Sequence, residues 1–200
     1  MDTLEKAKTM YFHRQHLKHH HDPWQHVGWS TKEAQYKRYE ALCTIGSFNG
    51  KIVLDAGCGT GDFYSFVRNQ YPGVTYLGLD SIPEFVETAN KKYSGQADVF
   101  FMQADFTSDG LPEVDYVVAS GALSYQTNDM LFPYSALMKL YQVARCGVAF
   151  NLLDEEGFTS TEWLKAYNKE EMLMFCQRLA TRAELITGYQ PDDFTIIMYR

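Results

Sequence analysis

Three glycines at alternate positions, Gly57, Gly59 and Gly61, follow Val53-Leu54-Asp55-Ala56 and precede Asp62 and Phe63. An apolar, β-branched run, then a glycine turn, then helix-forming residues describe a strand, a tight turn and a helix N-terminus. Glycine lets the backbone approach a ligand closely and takes up positive φ without strain. The start of the helix adds free N–H groups and a partial positive charge. Such a corner suits a ligand that carries a carboxylate or a phosphate.

Two kinds of nucleotide cofactor compete for the turn. A dinucleotide fingerprint needs Gly-x-Gly-x-x-Gly, whose third glycine packs the helix on the strand. Asp62 stands where that glycine belongs. Asp55 would also repel a pyrophosphate, whereas a cation tolerates an acid there. S-adenosyl-L-methionine carries a sulfonium and an ammonium group. The whole string from Val53 to Phe63 resembles motif I of the class I S-adenosylmethionine-dependent methyltransferases. That resemblance covers nearly all of residues 28–200. It implies an α/β fold: a seven-stranded Rossmann-like sheet, mostly parallel with an antiparallel last strand, and helices on both faces. It also implies S-adenosyl-L-methionine as cofactor, bound around the turn by Asp55, Gly57, Cys58, Gly59, Asp62 and Phe63.

The elements that must position this turn can be read from the apolar pattern. Strand signals recur at 51–56, 74–79, 97–102, 115–120 and 146–152, separated by helical stretches, which argues for a parallel sheet covered on both faces. Two further runs, 182–187 and 194–199, are joined by a connection too short for a helical crossover, so they pair as an antiparallel hairpin. Capping boxes, an acceptor followed three residues later by Glu, mark helix starts at Ser30…Glu33, Ser81…Glu84 and Asn168…Glu171. Residues 1–48 look helical and are expected to form a lid on a Rossmann-like core of residues 49–200, all within one domain.

Length and composition agree with that plan. Two hundred residues suit one domain with a full core, and 46% hydrophobic with 15% aromatic residues argue for a folded chain. A formal net charge of −7 is a poor match for a phosphate backbone. The four cysteines, Cys43, Cys58, Cys146 and Cys176, form no Cys-x-x-Cys pair and read as free thiols in a reducing compartment. The first residues lack an apolar signal core and no stretch approaches a membrane span, so a cytoplasmic setting is expected.

Ligands of open parallel sheets bind beyond the carboxyl ends of the strands. Asp80 ends the second strand, about twenty residues past the glycine turn, where a carboxylate can accept from both ribose hydroxyls. Ser81 and Ile82 follow it, and Ile82 can pack on the adenine face or join the core. The third strand ends in Gln103-Ala104-Asp105-Phe106; by the resemblance, Asp105 accepts from the adenine amino group and Phe106 lines the ring. Small residues Ser120 and Gly121 end the fourth strand and let its backbone approach the methionine part, with Ser124 and Tyr125 facing the methyl group and its acceptor. On the helix after Ser30, Arg38 interrupts an apolar stripe of Ala34, Leu42 and Ile45 and therefore needs a partner. The cofactor carboxylate suits a guanidinium, with Gln35 and Trp29 beside it; the alternative is that Arg38 reaches an acid at the surface.

All six histidines fall within residues 13–26, and His13, His16 and His20 share a helical face. No metal is expected from spacing of this kind alone. Tyr125 or a lid histidine such as His20 is the candidate proton acceptor. The base-methylating signature Asn/Asp-Pro-Pro-aromatic and a Pro-Cys nucleophile are absent. The expected activity is methyl transfer from S-adenosylmethionine to a small acceptor, with no nucleic-acid or membrane partner, by a monomer or homodimer. The alternative is a non-catalytic module that binds the cofactor or serves as a partner subunit. A nicotinamide dehydrogenase and an aminopropyl transferase fit less well.

Overall fold

The computed structural model describes residues 3–19 and 31–200. Among them the elements run α1 (Thr3–His19), α2 (Lys32–Cys43), β1 (Ile52–Ala56), α3 (Asp62–Val67), β2 (Thr75–Asp80), α4 (Pro83–Lys92) and β3 (Val99–Gln103). They continue with β4 (Val114–Ala119), α5 (Phe132–Val143), β5 (Ala144–Leu153), α6 (Lys169–Leu179), β6 (Arg182–Ile186) and β7 (Asp193–Tyr199). Every expected strand is present, its ends moved by at most two residues. The strands form one sheet in the order β3-β2-β1-β4-β5-β7-β6. The first five are parallel, and β7 runs against both β5 and β6.

Alternation along the strands builds a core on each face. Leu54, Val117, Val148 and Ile196 face α5 and α6, while their chain neighbours Val53, Val118, Ala149 and Ile197 face α2, α3 and α4. Both sides of the sheet are therefore apolar, which is why its strands read as near-continuous hydrophobic runs. The chain leaves β1 toward β2 on one side and returns to β4 on the other, so the topological switch lies between β1 and β4.

One of the three expected caps is found. Asn168 accepts from the Glu171 N–H and opens α6. α2 is capped instead by Thr31, whose hydroxyl accepts from the Ala34 N–H, and Ser30 lies outside the described residues. α4 opens at Pro83 with no side-chain cap, because Ile82 rather than Ser81 occupies the cap position and has no side-chain acceptor. No described helix is long and apolar enough to cross a membrane.

Candidate functional site

A cavity of about 470 Å³ opens at the switch point, beyond the carboxyl ends of β1, β2 and β4. Its floor is the glycine turn. Gly57 has φ +85°, and a Cβ built there would stand 2.5 Å from the Cβ of Ala122 in the loop after β4. Glycine is thus required at this point by both conformation and space, and the two loops meet at a backbone-to-backbone approach.

Asp80 is 8% exposed. Its Oδ2 accepts from the Gly59 N–H and its Oδ1 from the Ile82 N–H, each at 2.9 Å. These bonds fix the carboxylate against the turn and leave each oxygen lone pairs for a ligand. Burial raises its pKa to about 6 against the pull of the backbone donors from Ile82, Gly59 and Ser81. Asp55 is also buried. Burial raises it to about 7, the Tyr76 hydroxyl that donates to Oδ2 opposes the rise, and Asp80 and Asp62 add to it.

Two buried polar atoms at this end of the cavity have no hydrogen-bond partner among the described residues: the Gln35 side-chain nitrogen, a donor, and Asp55 Oδ1, an acceptor. Unsatisfied buried groups are costly and uncommon. Together they offer one site to an anionic group and another to a cationic group.

Arg38 lines the same cavity but has a protein partner, a buried acid rather than one at the surface. Its Nε donates to Asp193 Oδ2 at 2.6 Å, and both side chains are buried. Behind the pair runs a chain of hydrogen bonds with one direction. Ser120 donates to Asn151 Oδ1 at 3.0 Å, and Asn151 Nδ2 donates to Thr195 at 2.6 Å. Thr195 lies 2.8 Å from the Tyr189 hydroxyl, which donates to Asp193 Oδ1. Burial raises Asp193 to about 6 although Arg38 and Tyr189 both favour its charged form.

Of the residues expected at the site, Gln35, Arg38, Asp55, Gly57, Cys58, Gly59, Asp62, Phe63, Asp80, Ser81, Ile82, Asp105, Phe106, Ser120, Gly121, Ser124 and Tyr125 line the cavity. Gln103 does not: it pairs with Asp80 in the ladder, and its side chain is exposed. Trp29 and His20 lie outside the described residues. Asp105 already has partners, since Lys6 of α1 sits 2.6 Å from Oδ2 and Thr107 donates to Oδ1. Burial pushes Asp105 up, but those bonds outweigh it and hold the carboxyl at about 2. The Ser124 hydroxyl accepts from the Leu153 N–H at 3.2 Å and so ties the loop after β4 to β5.

His13 and His16 part company despite their shared face. His16 Nδ1 donates to the Phe12 carbonyl, whereas His13 Nε2 is 2.6 Å from the Tyr125 hydroxyl and lines the cavity. Asn151, Asp193, Lys6 and Phe85 also line it, and the sequence reading named none of them for the site. Asn151 had a visible signal, a lone amide within the apolar run Val148–Leu153.

Residues 54–149 match the family model described as a methyltransferase domain. That span, just under half of the chain, is similar to a methyltransferase domain. The chain is 38% identical over 55 residues to the malonyl-[acyl-carrier protein] O-methyltransferase of Paenibacillus sp., covering 26% of this chain and 20% of that protein. It is 27% identical over 154 residues to a provisionally named methyltransferase of Mycobacterium tuberculosis, covering 73% of this chain and 91% of that protein. The structure superposes on the magnesium protoporphyrin IX methyltransferase of Synechocystis PCC 6803, solved with bound S-adenosylhomocysteine, at a TM-score of 0.74 and 15% identity. That match covers 98% of this chain and 99% of the other, so the methyltransferase fold expected from motif I extends over the whole described sheet.

Proposed function

We propose that the chain transfers a methyl group from S-adenosyl-L-methionine to a small acceptor that is not a nucleic acid. The observation that carries the reading is the pairing of Asp80 with two orphaned groups, Gln35 and Asp55, in one cavity at the switch point. Asp80 accepts from the ribose hydroxyls. Gln35, with Arg38 behind it, holds the carboxylate of the amino-acid portion, and Asp55 faces its ammonium. Ile82 and Phe106 flank the adenine, whose amino group shares Asp105 with Lys6. When bound, the cofactor supplies an electrophilic methyl on a cationic sulfur.

The residues of the chain provide the rest: orientation and exclusion of water, which together account for much of the rate of a displacement reaction. α1 serves as a lid. It places Lys6, Thr9, Met10, Phe12 and His13 on the cavity. It is held there by Lys6 to Asp105, Arg14 to Glu84 at 2.6 Å, and Glu5 to Thr127 and the Asn128 N–H. Tyr125 and Ser124 border the acceptor, Tyr125 as the contacting hydroxyl and Ser124 as the tie that fixes its loop. The acidic surface and the acids of the cavity disfavour a polyanionic nucleic acid.

Titration calorimetry with S-adenosylhomocysteine and, separately, with NAD tests the cofactor. Tight binding of the first and none of the second is expected, and the reverse refutes the reading. Transfer of labelled methyl into a small-molecule extract then tests catalysis. Binding with no transfer to any extract component would leave a non-catalytic binding module.

A further inference from the structure

The far side of the cavity differs in chemistry from its acidic floor. Met10, Phe12, Phe85, Phe132, Phe158 and Leu164 make it apolar and largely aromatic. One polar pair is set among them. His13, 3% exposed, has its Nε2 2.6 Å from the Tyr125 oxygen, and the edge of its ring meets Phe85 with centroids 5.2 Å apart. Tyr125 is fixed on its other flank by a β-bridge to Leu164. The pair joins the lid to the loop after β4, at the position where the methyl acceptor would lie.

Burial, with Asp80 nearby, holds Tyr125 far on the protonated side. Its hydroxyl therefore has a proton to give, and the natural receiver is Nε2 of a neutral imidazole with its own proton on Nδ1. While donating, the tyrosine oxygen keeps a lone pair for a further donor. A proton arriving from a substrate can thus be passed on to His13 by way of Tyr125.

Such a pair limits the acceptor. A carboxylic acid is already ionised at neutral pH and needs no base. An alkylammonium would bring a charge into an apolar wall. An aliphatic alcohol is too weak an acid for an imidazole to help. A phenol is protonated at neutral pH, acidic enough to share its proton with imidazole, and flat enough to pack on the aromatic wall. Building on the methyltransferase reading, we infer that the acceptor is an aromatic molecule whose phenolic hydroxyl sits on Tyr125, and that His13 receives its proton through Tyr125. In the step, the phenol oxygen forms the O–CH₃ bond as the CH₃–S bond breaks and its electron pair stays on sulfur. The phenolic proton moves to the Tyr125 oxygen while the Tyr125 proton moves to His13 Nε2. The products are an aryl methyl ether, S-adenosylhomocysteine and an imidazolium that loses its proton to water after release.

The test uses the full chain loaded with S-adenosylhomocysteine and titrated with 4-nitrophenol, whose absorbance reports ionisation directly. Benzoate is the carboxylate control. Bound nitrophenol is expected to ionise about one pH unit below its value in buffer. That displacement should disappear in His13→Gln and in Tyr125→Phe, with S-adenosylhomocysteine affinity unchanged in both. Tyr125→Phe keeps the ring and its packing, so it stands as the decisive variant if His13→Gln loosens α1. Nitrophenol that fails to bind, binds without a shift, or shifts equally in Tyr125→Phe overturns the inference, as does benzoate binding more tightly than nitrophenol. Failure of S-adenosylhomocysteine itself to bind would instead overturn the methyltransferase reading.

Discussion

Replacing Asp80 by alanine tests the cofactor site at its most exposed assumption. Two ribose hydroxyls each donating to an ionised carboxylate are worth roughly 1.5–3 kcal/mol apiece. Losing both amounts to roughly 3–6 kcal/mol, or about 10²- to 10⁴-fold in affinity at 1.4 kcal/mol per decade. The same change frees the Gly59 and Ile82 N–H groups that Asp80 engages at 2.9 Å, so folding must be checked by thermal melting alongside. Calorimetry with S-adenosylhomocysteine gives the affinity. The pH dependence supplies an independent sign. With a pKa of about 6 in the free protein, Asp80 must lose its proton to accept from both hydroxyls. Affinity therefore rises with pH through 6 and then levels off. In Asp80→Ala that dependence should flatten. An Asp80→Ala protein that is folded and binds within threefold of the parent would remove Asp80 from the ribose and with it the orientation of the whole cofactor.

Gly57→Ala should weaken S-adenosylhomocysteine at least tenfold and cost about 1–3 kcal/mol in backbone strain alone, because its new methyl meets Ala122; Gly95→Ala has the same positive φ with nothing within 4 Å, and its calorimetric affinity should be unchanged. Arg38→Met leaves Asp193 buried without its counter-charge and should destabilise the protein by about 3–5 kcal/mol in urea titrations. The double variant Arg38→Met, Asp193→Leu should recover stability without recovering ligand affinity, and recovery of both would mean that Arg38 has no ligand role. Asp55 binds its proton more tightly folded, near pH 7, than unfolded, so its contribution to stability is full below about pH 4 and is lost as pH rises through 7. The unliganded protein should lose roughly 3–4 kcal/mol from this residue between those limits, and urea midpoints for Asp55→Asn should show a correspondingly flatter profile.

The chemistry was most legible where neighbouring residues carry it. The turn from Asp55 to Asp62, the acid at the end of β2 and the closing hairpin are all local patterns, and each stands where its pattern implies. Arg38 shows the intermediate case. Its place in an apolar stripe marks it as a buried charge in want of a partner, but nothing local says that the partner is Asp193 across the sheet. The relay through Asn151, Thr195 and Tyr189 depends on β5 and β7 being neighbours, which only the folded sheet establishes. Caps failed for a related reason. Ser81 matches the capping pattern as well as Asn168 does, yet the helix starts one residue later and puts Ile82, which has no side-chain acceptor, at the cap position. Among the histidines, helical periodicity selects a face but not the residue that meets Tyr125, because that contact depends on how α1 lies on the loop after β4. Gln103 went astray against strand parity: it shares the face of buried Val99 and Phe101, yet at the last position of the edge strand β3 its side chain is exposed.

The ion pair between Arg38 and Asp193 joins residues 155 positions apart. During synthesis the guanidinium leaves the ribosome long before its counter-charge exists. Non-local closures of this kind are slow and come late. The ion pair thus forms only after the final hairpin docks. A chain that stops short of β7 lacks Asp193 and Thr195, and with them one end of the hydrogen-bonded relay that starts at Ser120.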